Sequence, residues 1–134
     1  MVAELLIIED NPAHADLLCE LLEEADVPFS MQVIHDGQKA LEALQGAATL
    51  PRLIILDLNL PRLSGLSVLR TVRSQTALKH IPIVVMSVSN EQEEIRRCYA
   101  SGAAAYIVKP IRLVEYEKVV DSIVAFWGRA VALS

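Results

Sequence analysis

The run Leu53-Ile54-Ile55-Leu56-Asp57 constrains this chain more than any other stretch. Four consecutive apolar residues with no polar alternation define a strand buried on both faces, as in the centre of a parallel sheet. The run ends abruptly in a carboxylate, and Asn59 and Pro61 then turn the chain out of the sheet. Open α/β sheets hold ligands outside the carboxyl ends of their strands, which makes Asp57 a candidate site residue. Taken alone, Asp57 could equally cap the turn that follows it. The other strands weigh on that choice.

Similar runs recur along the chain. Leu5–Ile8 reads as a first strand ending in Glu9-Asp10-Asn11-Pro12, residues 31–35 as a second, Ile83–Met86 as a fourth ending in Ser87, and residues 103–108 as a fifth ending in Lys109-Pro110. Amphipathic segments of helical length lie between them. One runs from Pro12 to about Ala25, with Leu17, Leu18, Leu21 and Leu22 as its apolar stripe, Asp10 or Asn11 as its cap, and Pro28 as its breaker. A second passes from the Asp36-Gly37 turn through Ala40, Leu41 and Leu44 and stops at Gly46. Ser64-Gly65 opens a third, with Leu66, Val68, Leu69 and Val72 inside and Arg70 and Arg73 outside. Asn90, with Glu93 three residues on, predicts a capping box for a fourth that closes at Gly102, and a last helix spans about Leu113 to Gly128. Five β-α units with helical crossovers dictate a single doubly wound parallel sheet, helices on both faces, over residues 1–134.

Composition agrees. A chain of 134 residues with 53% hydrophobic residues and a mean hydropathy of +0.38 suits one domain whose sheet is covered on both sides. Pro, Lys or Glu interrupts every apolar run short of the roughly 20 residues that span a bilayer, so no membrane partner is expected. No basic leader or cleavage pattern follows Met1, which predicts a cytoplasmic protein. The net charge of −5 argues against direct nucleic-acid binding. Cys19 and Cys98 lie far apart without a CxxC and read as reduced, buried thiols; His14, His35 and His80 share no ligand spacing.

All carboxyl ends of a parallel sheet lie on one edge, so Glu9, Asp10, Asp57, Ser87 and Lys109 converge. Clustered acids stay ionised only beside a cation, and an oxygen-only donor set points to Mg²⁺, with Mn²⁺ as a substitute, rather than zinc. A carboxylate beside Mg²⁺, a lysine and a hydroxyl is equipment for phosphoryl transfer to the aspartate, where alignment and charge neutralisation do most of the catalysis.

These residues carry a resemblance. Glu9-Asp10, Asp36-Gly37, Asp57 with Pro61 and Gly65, Ser87, Gly102-Ala103, Tyr106 and Lys109-Pro110, in that order over nearly the whole chain, resemble a response-regulator receiver domain of two-component signalling. The resemblance implies the flavodoxin-like strand order 2-1-3-4-5. It implies Asp57 as acceptor of a phosphoryl group from a sensor histidine kinase. It implies Mg²⁺ on Asp10, Asp57 and the backbone carbonyl of Asn59, with Glu9 acting through water. Lys109 would pair with the phosphoryl oxygens, Ser87 would hydrogen-bond them, and Tyr106 would pass from an exposed to a buried rotamer. A cis Lys109-Pro110 bond is also implied. Two departures stand out: Val88 is larger than the family's usual residue and predicts a narrower mouth, while Asn59 and Ser89 occupy positions that tune acyl-phosphate hydrolysis.

Val119, Val120, Ile123, Val124, Phe126, Trp127, Val131 and Leu133 exceed what one helix face can bury. Neighbours on a helix point about 100° apart, so Phe126 and Trp127 cannot share a pocket and one of them is expected at a homodimer interface. This ending, with residues 128–134 as an apolar tail, is similar to the small stand-alone phytochrome-associated response regulators, which implies a bacterial phytochrome as sensor. Two rivals stand beside this reading. A Mg²⁺-dependent phosphohydrolase would need a second aspartate two residues after the nucleophile, where this chain has Asn59, and a cap domain, for which no segment is visible. A non-phosphorylated interaction module would lack the acids that are present.

Overall fold

The structure, a computed structural model, describes residues 4–25 and 30–130, with side chains to residue 127. Five strands alternate with five helices: β1 (Leu5–Ile8), α1 (Pro12–Glu24), β2 (Met31–Ile34), α2 (Gly37–Gln45), β3 (Leu53–Leu56), α3 (Gly65–Ser74), β4 (Ile83–Ser87), α4 (Gln92–Ala100), β5 (Ala105–Val108) and α5 (Leu113–Ile123). The strands form one parallel sheet in the order β2-β1-β3-β4-β5.

Alternate side chains of the central strands divide the core in two. Leu6, Ile8, Ile54, Leu56, Ile83 and Val85 pack with Leu41 and Leu44 of α2 and with Val68, Leu69 and Val72 of α3. Leu5, Ile7, Leu53, Ile55, Val84 and Met86 pack with Leu18, Leu21 and Leu22 of α1 and with Tyr116, Val120 and Ile123 of α5. Burial on both faces is why these strands carry no polar alternation.

Local capping follows the side chains. The Asn11 carboxamide oxygen accepts from the Ala13 and His14 amides at 3.0 and 3.2 Å, which makes Asn11 rather than Asp10 the cap of α1. Asp36 caps α2 through the Lys39 amide at 2.9 Å, and Ser64 caps α3 through the Ser67 amide at 3.2 Å.

Several expectations give way. Glu91, not Asn90, caps α4, and it offers no side-chain bond. Ser89 Oγ accepts from the Glu91 amide at 3.3 Å and shapes that turn, while Glu93 pairs with Arg96 and Arg97 at 3.3 and 3.5 Å instead of closing a capping box. β5 begins at Ala105, because the Ala103 amide closes the end of α4 on the Cys98 carbonyl at 3.0 Å, with Gly102 at φ +103°. Arg73 is partly buried and donates to the carbonyls of Gly102, Lys79 and Ile81 at 2.9, 3.1 and 2.7 Å, tying α3 to the loops that lead into β4 and β5. The Lys109-Pro110 peptide is trans, the lower-energy isomer of an X-Pro bond.

After α5 the backbone continues as a π-helical stretch, Val124–Ala130. Trp127 packs on the α1/α5 half of the core, and its ring meets Phe126 edge-on with centroids 4.7 Å apart. Phe126 is 54% exposed. Pro28, Val131, Leu133 and most of the expected tail lie outside the described residues. Among the described residues, no helix is long and apolar enough to cross a membrane.

Candidate functional site

The ladder of the sheet runs one residue past the strand ends, and those residues carry the polar side chains. The Glu9 amide donates to the Ile34 carbonyl at 3.0 Å, the Asp57 amide to Ile8 at 2.9 Å, and the Lys109 amide to Ser87 at 2.7 Å. Register sets Glu9 beside Asp57, because Ile8 pairs with Leu56. Lys109 follows Val108 at the end of β5, on the far side of β4, and only its long side chain brings the ammonium across to the two acids.

The side chains meet across the end of β4. Lys109, 9% exposed, donates to Glu9 Oε1, and its Nζ lies 3.4 Å from Asp57 Oδ2. Carboxylate oxygens of Glu9, Asp10 and Asp57 fall within 4.8 Å of one another, with Asp10 exposed and the other two buried. Burial, with Asp57 alongside, pushes the Glu9 carboxyl up to about 7 against the opposing pull of Lys109. Glu9 Oε2 accepts from the Asn11 amide at 3.2 Å, and Asp57 Oδ1 from the Asn59 amide at 3.3 Å. A cleft of about 270 Å³ opens over this group, lined by Asp10, Asn11, His14, Asp57, Asn59, Val88 and Lys109. Three carboxyl groups facing one ammonium form an oxygen-only set suited to a hard divalent cation.

Ser87 is fully buried behind this edge, and its Oγ accepts from the Ser89 amide at 3.3 Å. Tyr106 donates its phenolic proton to the Ser89 carbonyl at 2.8 Å, and its ring rests half-buried against the α2/α3 half of the core. In this state the ring is not fully exposed, as the resemblance implied, because the hydroxyl has found an acceptor inward. One residue, Ser89, thus links the two, through its amide on one side and its carbonyl on the other.

Two glycines press the Asp57 loop into place. A Cβ at Gly65 would lie 2.2 Å from the Asp57 carbonyl oxygen, and one at Gly37 would lie 2.2 Å from that of Leu63. Arg62, at φ +67°, pairs with Asp36 at 3.3 Å and latches the same loop to the start of α2.

His14 escaped the reading of the sequence. It sits in the first turn of α1 with Nδ1 2.9 Å from Lys109 Nζ and 3.8 Å from Glu9 Oε1. Burial and the Lys109 charge push its imidazole below the usual histidine range. The signal lay in its place four residues after Asp10, on the turn of α1 that opens from the site edge. His35 turns its Nδ1 to the Glu9 carbonyl at 2.8 Å.

A parallel sheet in this order, with acids at the ends of β1 and β3 and a lysine at the end of β5, defines a class. The chain belongs to the response regulator receiver domain family, whose model matches residues 5–121. It is 32% identical over 127 residues to the probable methanogenesis regulatory protein FilR2 of Methanothrix harundinacea, covering 92% of this chain and 82% of that one. It is 31% identical over 134 residues to the response regulator Rcp1 of Synechocystis sp., covering 96% and 91%. The Mn²⁺-bound crystal structure of Rcp1 superposes with a TM-score of 0.91 at 31% identity over 97% of both chains. That of the phosphorylated cyanobacterial phytochrome response regulator RcpA superposes with a TM-score of 0.92 at 33% identity over 99% of both.

Proposed function

We propose that Asp57 accepts a phosphoryl group from a phosphohistidine of a sensor histidine kinase, and that the chain signals through protein contacts this group alters. The reading is carried by Glu9, Asp10, Asp57 and Lys109 meeting at one sheet edge beneath an open cleft. In the transfer, an Asp57 carboxylate oxygen forms a bond to phosphorus as the donor's P–N bond breaks, and the imidazole leaves with a proton. Lys109, already beside Asp57, pairs with the new phosphoryl oxygens. Glu9, Asp10, Asp57 and the Asn59 carbonyl would hold Mg²⁺, or Mn²⁺ in its place, and the ion when bound supplies charge neutralisation at the phosphoryl group.

The output starts from a gain of about −1.5 to −2 charge at the end of β3. Ser87 turns toward the phosphoryl oxygens and releases the Ser89 amide. Tyr106, half-buried with its hydroxyl on the Ser89 carbonyl, follows Ser87 into a fully buried rotamer, so the two side chains change state together and reshape the α4–β5 face. The likeness to RcpA supports a phytochrome-type kinase as the phosphoryl donor. A homodimer through the C-terminal helix is supported by Phe126, an exposed aromatic beside a packed Trp127.

Acetyl phosphate with Mg²⁺, followed by intact mass, tests the reading. A single phosphoryl adduct is expected, absent in chelator and in Asp57→Asn; an adduct that survives in Asp57→Asn would refute it.

A further inference from the structure

We infer that His14 is a positioning residue that holds Lys109 back from Asp57 in the unmodified protein, and so sets how readily the site takes a phosphoryl group. This rests on the reading of Asp57 as phosphoacceptor. A lysine ammonium has three protons and accepts none. Here one goes to Glu9 and one to His14 Nδ1 at 2.9 Å, while Asp57 Oδ2 stands off at 3.4 Å, beyond good hydrogen-bond length. His14 must be unprotonated at Nδ1 to accept.

The geometry makes the histidine a competitor. A phosphoryl group on Asp57 presents three strong acceptors. The one ammonium proton that already faces Asp57 can meet one of them, and Lys109 meets a second only by giving up a partner it already has. Glu9 belongs to the acid cluster that a divalent cation would engage, which loosens its claim on the ammonium. His14 lies at the rim of the cleft on α1, outside that cluster, so its claim persists in the metal-loaded protein. Its side chain is 36% exposed, so substitution leaves both halves of the core intact.

Calorimetric titration of the full chain with beryllofluoride in saturating Mg²⁺ reads the effect. His14→Ala and His14→Phe, which remove the acceptor with and without removing bulk, should each tighten binding by about three- to ten-fold, the weight of one hydrogen bond net of its replacement. They should also lengthen the life of the acetyl-phosphate adduct. His14→Gln, whose carbonyl can accept, should return toward the parent. Weaker or unchanged beryllofluoride binding in both His14→Ala and His14→Phe would overturn the inference, as would tightening in His14→Ala alone, which would mark a steric effect. Failure of the parent chain to bind, or binding by Asp57→Asn, would instead overturn the reading of Asp57.

Discussion

At the scale of single residues, the site works because neighbours far apart in sequence leave each group one place to go. Asp57 is held by the Ile8 carbonyl behind it and by Gly65 below it. Gly65→Ala puts a methyl group 2.2 Å from the Asp57 carbonyl, so the start of α3 or the Asp57 loop must move. A loss of about 1–3 kcal/mol in chemical denaturation is expected, together with slower phosphorylation by acetyl phosphate. Parental stability and rate would show that the close approach does not matter. Arg73 makes a related point: a guanidinium is spent on three carbonyls where a lysine could not form the same planar fork.

At the scale of elements, caps and strand ends divide what could be read in advance from what could not. The α1 cap predicts that Asn11→Ala costs about 1 kcal/mol, whereas Asn90→Ala, whose side chain caps nothing, stays within about 0.5 kcal/mol of the parent. Urea unfolding of the two variants checks this, and equal losses would contradict the assignment of Glu91 as the α4 cap. The doubly covered parallel sheet and the shared edge were legible because unalternating apolar runs admit only a sheet buried on both faces, and because polar strand ends need no partner to be noticed. The strand order came with the receiver resemblance. The Asn90 misreading has a local cause: Ser89 makes its own turn with the Glu91 amide, a competition that spacing does not reveal. Arg73 and His14 were opaque for another reason. Their partners, Gly102 and Lys109, lie 29 and 95 residues away, and helical periodicity says nothing about them.

At the scale of the molecule, the parallel sheet gathers Glu9, Asp57 and Lys109 at the carboxyl ends of its strands and keeps both of its faces buried under helices. Phe126 stands outside the packed frame while Trp127 is built into it, so the two aromatics should differ on substitution. Phe126→Ser should lower the sedimenting mass to that of a single chain with stability kept, whereas Trp127→Ala should lose stability as well. An unchanged mass in Phe126→Ser would remove that ring from any interface. The central claim is that one carboxylate, Asp57, receives the phosphoryl group. Borohydride reduction of the acetyl-phosphate-treated protein, followed by peptide mass mapping, tests it most directly. Homoserine at position 57 and at no other aspartate is the predicted result; homoserine at Asp10, or an unmodified Asp57 in a protein that carries the phosphoryl mass, would contradict it.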